Sequence, residues 1–161
     1  MKVRSKVRKR AAIGLIILIF LAGVSLAEEN KAADLLQKAK ILIFDKEWAQ
    51  AEAKLAALIQ RFPQSPLVTE ALFYQARCLQ EQPGKEEKAI TSYQQFLRRQ
   101  KRNPSLEEEA EVSIIDLAFV LYKKGKKDYI SLITARLNHP NKVVQYYAAL
   151  KLSYVREKKI A

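Results

Sequence analysis

One helical pattern occurs twice in the chain, and that duplication restricts its fold more than any other feature. Ala51, Leu55, Leu58 and Phe62 recur at three- and four-residue steps, which places them on one face of a helix that Pro63 ends. Ala89, Tyr93, Phe96 and Gln100 fall at the same steps 38 residues on (89−51), and only the last position is no longer apolar. A second series precedes each of these helices: Leu36, Ala39 and Leu42, then Phe73, Ala76 and Leu79, 37 residues on (73−36). Apolar stripes of this kind need a partner helix to cover them. Their recurrence at about 34 residues plus loop predicts antiparallel helical hairpins stacked as a solenoid.

Helix boundaries follow from the breakers. The first helix is expected from Asn30, as N-cap, to Phe44, and Trp48 opens its partner and packs back on it, with ligand stacking as the alternative role. Phe62-Pro63-Gln64-Ser65-Pro66 stops that partner. The second hairpin is expected over 66–81 and 85–102, with Arg98, Arg99, Lys101 and Arg102 in the last turns against the exposed carbonyls. Ser105 is the expected N-cap of the next helix, and Glu107, Glu108, Glu109 and Glu111 supply its first turns with negative charge. From Val112 to Tyr122 only Ser113 and Asp116 are polar, so neighbours must enclose this helix on both flanks. Asp116 is read as a partly solvated residue, with a buried hydrogen-bond anchor as the alternative. Ile115, Ala118 and Leu121 continue the earlier series 42 residues beyond Phe73 (115−73), which makes this the first helix of a third repeat. A short helix over 129–137 and a last one over 143–156 complete the chain. Ala51 and Ala89 mark the close helix contacts, whereas Gln50 and Ser92 are read as outward.

Residues 1–27 read as an export signal. Lys2, Arg4, Lys6, Arg8, Lys9 and Arg10 precede an uncharged apolar run from Ala11 to Leu26, and Ser25-Leu26-Ala27 offers small residues to a signal peptidase. Cleavage would leave a soluble part beginning at Glu28. The run of 16 residues is short for a bilayer span of about 20, and a retained N-terminal anchor is the alternative. Val24 stands where a lipoprotein signal carries its Cys, so acylation there is chemically excluded.

The formal charge of +12 is unevenly spread. The first ten residues hold six of the cations. Residues 28–111 carry 13 basic and 14 acidic side chains, and residues 112–161 carry 10 and 3. A basic C-terminal segment suits anionic lipid or an acidic partner, or stands as solvated surface, with Lys158 and Lys159 as a frayed basic end. No nucleic-acid motif or aromatic-arginine interleaving supports a nucleic-acid partner. Cys78 is the only cysteine and lies among Phe73, Ala76 and Leu79, which predicts a buried, inert thiol. His139, the only histidine, lies in a turn without the companions a metal or catalytic role needs. With no phosphate loop and no activated nucleophile, the chain reads as no enzyme and as needing no cofactor.

Residues 35–104 resemble tetratricopeptide repeats, in detail those of periplasmic proteins of the bacterial envelope such as the barrel-assembly accessory lipoprotein and the cell-division coordinator. The carrying residues are Ala51-Leu55-Leu58 closing in Phe62-Pro63-Gln64-Ser65-Pro66, then Glu70 to Ala76, and the helix from Ala89 to Leu97. His139 to Gln145 with Ala148, Ala149 and Leu152 looks like the second helix of a HEAT-type repeat, and Ile130–Leu137 like its first. The expected fold is therefore all-α: a solenoid with repeats near 31–65, 66–103 and 105–137 and a HEAT-like cap over 129–157. Such families imply a scaffold that binds a protein or peptide along a concave face lined by the first helix of each pair. Carried over from Ala39, Ala76 and Ala118, the exposed neighbours on that face would be Leu36, Lys40, Phe73, Arg77, Ile115, Phe119 and Tyr122, with burial in the core as the alternative for the apolar ones. Of these, Lys40 and Arg77 would hold carboxylates, and Phe73, Phe119 and Tyr122 apolar side chains. The function this implies is a periplasmic adaptor in envelope assembly or maintenance. The alternative is a subunit anchored in the inner membrane through residues 1–27.

Overall fold

The duplicated apolar stripes find their partners in neighbouring helices in the structure, a computed structural model that describes residues 27–100 and 102–157. The expected signal segment, apart from Ala27, lies outside the described residues, as do Lys101, Lys158 and Lys159. Among the described residues seven α-helices follow one another: α1 over 27–44, α2 Trp48–Arg61, α3 Val68–Gln80, α4 Glu86–Leu97, α5 Pro104–Lys123, α6 Ile130–Thr134 and α7 Lys142–Glu157. Short 3-10 turns, Lys127–Tyr129 and Ala135–Asn138, flank α6. No strand occurs among the described residues.

The duplicated positions do the same job in both copies. Ala51, Leu55 and Leu58 on α2, and Ala89, Tyr93 and Phe96 on α4, are all buried. Ala39, Ala76 and Ala118 have no exposed surface, which lets α1, α3 and α5 approach their neighbours closely. Helices α2 and α3, α3 and α4, α4 and α5, and α5 and α6 pack in succession, and α3 also meets α5. This is an α-solenoid of two layers, with α1, α3, α5 and α7 in one and α2, α4 and α6 in the other. Helix α7 stands on α5 and α6 as α5 stands on α3 and α4.

Several helix ends differ from the sequence reading. Helix α1 already includes residues 27–30, so Asn30 is no N-cap. Helix α4 stops at Leu97, which leaves Arg98 as its C-cap and Arg99 and Arg102 beyond it. Burial ends at Phe96, and no packing surface remains to hold a further turn. Asn103, not Ser105, caps α5: its side chain accepts from the Ser105 amide at 2.9 Å, with Pro104 in the first turn. The expected helix over 129–137 is a five-residue α6 between 3-10 turns. Ser92, read as outward, is buried.

The ends of α1 and α5 share one turn. Glu47 N–H donates to Leu42 C=O (2.8 Å) and Lys46 N–H to Ile43 C=O (3.1 Å). At α5, Lys126 N–H donates to Leu121 C=O (3.0 Å) and Gly125 N–H to Tyr122 C=O (3.1 Å). Both are Schellman turns that need a left-handed residue. Gly125 takes it at φ 97°, and Lys46 takes it at φ 60° with a side chain attached.

The acids at the start of α5 act as ties between elements rather than only as dipole partners. Glu107 pairs with Arg102 (3.1 Å), Glu108 accepts from Asn141 (2.7 Å), and Glu111 pairs with Arg136 at 2.6 Å in a largely buried contact. Lys124 and Lys126 reach back to Glu86 and Glu87 on α4. Three cations of the C-terminal excess, Lys124, Lys126 and Arg136, are thus internally neutralised.

Candidate partner-binding groove

Cross-helix ion pairs stitch the layer of α1, α3, α5 and α7. Lys40 on α1 lies 2.8 Å from Glu70 on α3, Arg77 on α3 lies 3.8 Å from Glu109 on α5, and Lys151 on α7 lies 2.6 Å from Asp116 on α5. Glu70 and Arg77 are two turns apart on one helix, as are Glu109 and Asp116, so the pairs run as a ladder along one face. The Glu70 carboxylate holds the Lys40 ammonium above its ordinary pKa. The Asp116 contact is an ion pair without an aligned hydrogen bond at Oδ1. Half-exposed pairs of this type contribute about 0–1 kcal/mol each, so they set register more than stability.

Lys40 and Arg77 do come together, in a concavity of about 400 Å³ lined also by Ile43, Phe44, Lys46, Trp48 and Tyr74. The Schellman turn after α1 builds its rim: Phe44 is the last residue of α1 and is 87% exposed, and Lys46 follows in its left-handed conformation. Trp48 opens α2, and Tyr74 projects from α3 with the Lys40 Nζ 5.3 Å from its ring centroid. Three cations and four apolar or aromatic walls, with no acid in the lining, suit a segment that presents a carboxylate beside a bulky apolar side chain. Lys40 and Arg77 already have carboxylate neighbours. Lys46 has none among the described residues.

Phe73 does not belong to this surface. It is fully buried, with its ring edge-on to Tyr74, Tyr93 and Phe96 at 5.4, 5.8 and 5.4 Å. Leu36 and Ile115 are buried as well. Adjacent helices cover these side chains, so none of the three is available to a ligand. Phe119 is half-buried between Lys123 and Lys151, 5.6 and 5.4 Å from its centroid, with Tyr154 of α7 at 6.5 Å. Tyr122 is half-buried under Lys127, at 4.1 Å. Neither lines the concavity. The aromatic wall comes instead from Phe44, Trp48 and Tyr74. The nearest sequence signals to it were an apolar residue at a helix end and an aromatic at the following turn.

Cys78 is buried, and desolvation pushes its thiol pKa up to about 12, the environment of an inert thiol. His139 Nδ1 accepts from the Asn141 amide at 3.2 Å, and its Nε2 lies 3.7 Å from Glu111. Among the described residues no three His, Cys, Asp or Glu side chains gather as a metal would require.

Residues 19–65 and 70–101 match the family model for the tetratricopeptide repeat. No curated protein and no solved structure matched the chain. Tetratricopeptide repeats generally mediate binding to protein partners. The hairpins and small-residue contacts of the described residues agree with the family match: over residues 19–65 and 70–101 the chain carries tetratricopeptide repeats.

Proposed function

We propose that the protein is a non-catalytic scaffold of the bacterial periplasm that holds a peptide segment of an envelope protein in the concavity between α1 and α3. The observation that carries the binding part of this reading is the joining of Lys40, Lys46 and Arg77 with Phe44, Trp48 and Tyr74 around one open concavity. Export is supported by the basic start, the apolar run and the small residues Ser25 and Ala27.

Trp48 is the only tryptophan, so its emission reports on the concavity directly. A short extended peptide that alternates Phe and Glu should shift that emission saturably. The shift should vanish in Lys46→Glu/Arg77→Glu and persist in Lys54→Glu/Lys88→Glu, which alters exposed lysines on α2 and α4. A peptide that leaves the emission unchanged overturns the binding reading. Mass spectrometry of the protein from a bacterial host tests export separately. A chain beginning at Glu28 supports the periplasmic reading, and an intact chain in the membrane fraction supports the anchored alternative.

A further inference from the structure

We propose that the outer face of α7 is a second docking surface, separate from the concavity at α1 and α3, and that it seats an acidic amphipathic helix of a partner protein. Val143, Tyr146, Leu150 and Tyr154 recur at steps of three and four residues, one continuous stripe of the helix. The opposite face, with Val144 and Ala148, is fully buried against the solenoid. The stripe itself faces outward: Tyr146 is 65% exposed, Tyr154 48% and Val143 44%, and Leu150 is half-buried.

The position of α7 explains why a helix fits there. It packs on α5 and α6 as the first helix of a further unit would, and among the described residues no second helix covers it as α4 covers α3 and α6 covers α5. Lateral stripes at this spacing accept another helix by interlocking side chains.

Charge selects the kind of helix. Residues 142–161 carry Lys142, Lys151, Arg156, Lys158 and Lys159 against the single acid Glu157, and of these Lys151 is already paired with Asp116 on α5. Lys142 and, at the end of α5, Lys123 have no carboxylate within ion-pair distance among the described residues. A second copy would bring two cationic stripes together, which like-charge repulsion opposes. A bilayer fits less well, since two phenols, a valine and a half-buried leucine make a narrow and partly polar face.

The test uses two synthetic 18-residue helical peptides with the same leucine stripe, one flanked by Glu and the other by Lys. Titrated into the protein and followed by amide NMR, the acidic peptide should shift Val143, Tyr146, Leu150 and Tyr154. It should bind at least tenfold more tightly than the basic one and weaken with added salt. Tyr146→Ser/Tyr154→Ser should cost at least tenfold in affinity with an unchanged circular dichroism spectrum, and Lys142→Glu should narrow the gap between the peptides. Equal binding of the two peptides, no binding, or shifts confined to other residues would overturn the proposal. So would stripe signals that respond to protein dilution, or to phosphatidylglycerol vesicles, and not to the acidic peptide.

Discussion

Lys40 Nζ lies 2.8 Å from a Glu70 carboxylate oxygen and 5.3 Å from the centroid of Tyr74, one turn further along the same helix. A single side chain of α1 thus reads two consecutive turns of α3, which fixes the register of the first two repeats at the rim of the concavity. A double-mutant cycle of Lys40→Ala and Glu70→Ala in urea denaturation should give a coupling of about 0.2–1 kcal/mol that shrinks in 1 M salt. The looser Arg77–Glu109 pair, at 3.8 Å, should couple less.

Ala51 and Ala89 sit where α2 and α4 touch their neighbours, and neither has exposed surface. Leucine at either place overpacks the contact, so Ala51→Leu and Ala89→Leu should each lower stability by about 1–3 kcal/mol in thermal or urea melts. Gln50 is exposed, and Gln50→Leu should change little. Ser92, at 7% exposure, is no solvent control, and Ser92→Leu should destabilise too.

The equivalent turns after α1 and α5 make a matched pair. Lys46→Gly should raise stability by about 0.5–1 kcal/mol through relief of its left-handed backbone, and it also removes a cation from the concavity. Gly125→Ala should lower stability by a similar amount for purely conformational reasons, since a Cβ there meets nothing within 4 Å. Melting curves of the two variants should move in opposite directions.

Cys78 should resist alkylation in the native protein at pH 8 and react once the chain is unfolded in urea. Burial holds its thiol and the Tyr93 phenol in the neutral form, both pushed up to about 12 from ordinary values of 9.0 and 10.0. The unfolded chain ionises first. The stability these two groups contribute is therefore complete below about pH 9 and is lost as the pH rises toward 12. Urea midpoints measured from pH 8 upward should fall, and Cys78→Ala should flatten the early part of that fall.

The hairpin plan was legible because burial in a solenoid is local. A stripe such as Ala51, Leu55 and Leu58 is covered by helices adjacent in sequence, so spacing alone reveals it. The end of α4 was not legible, because Arg98 to Arg102 are acceptable helix residues and the helix stops where packing stops. Lys40 and Arg77, 37 residues apart (77−40), both line the concavity, as equivalent positions in stacked repeats are brought side by side. Phe73 was misplaced because periodicity assigns a face without saying how many neighbours enclose it. Phe44, Trp48 and Tyr74 come from three different helices, and only tertiary packing brings them together.

The ion-pair ladder and the neighbour-only packing have a mechanical consequence. No described salt bridge joins residues more than 39 positions apart (126−87), so every tie is made within a helix, within a repeat or to the next one. Pulled from its ends, such an array has no distant clamp that must break first. In single-molecule extension the hairpins should yield one after another at modest force and re-form as the load falls, the behaviour of a spring between two anchored partners.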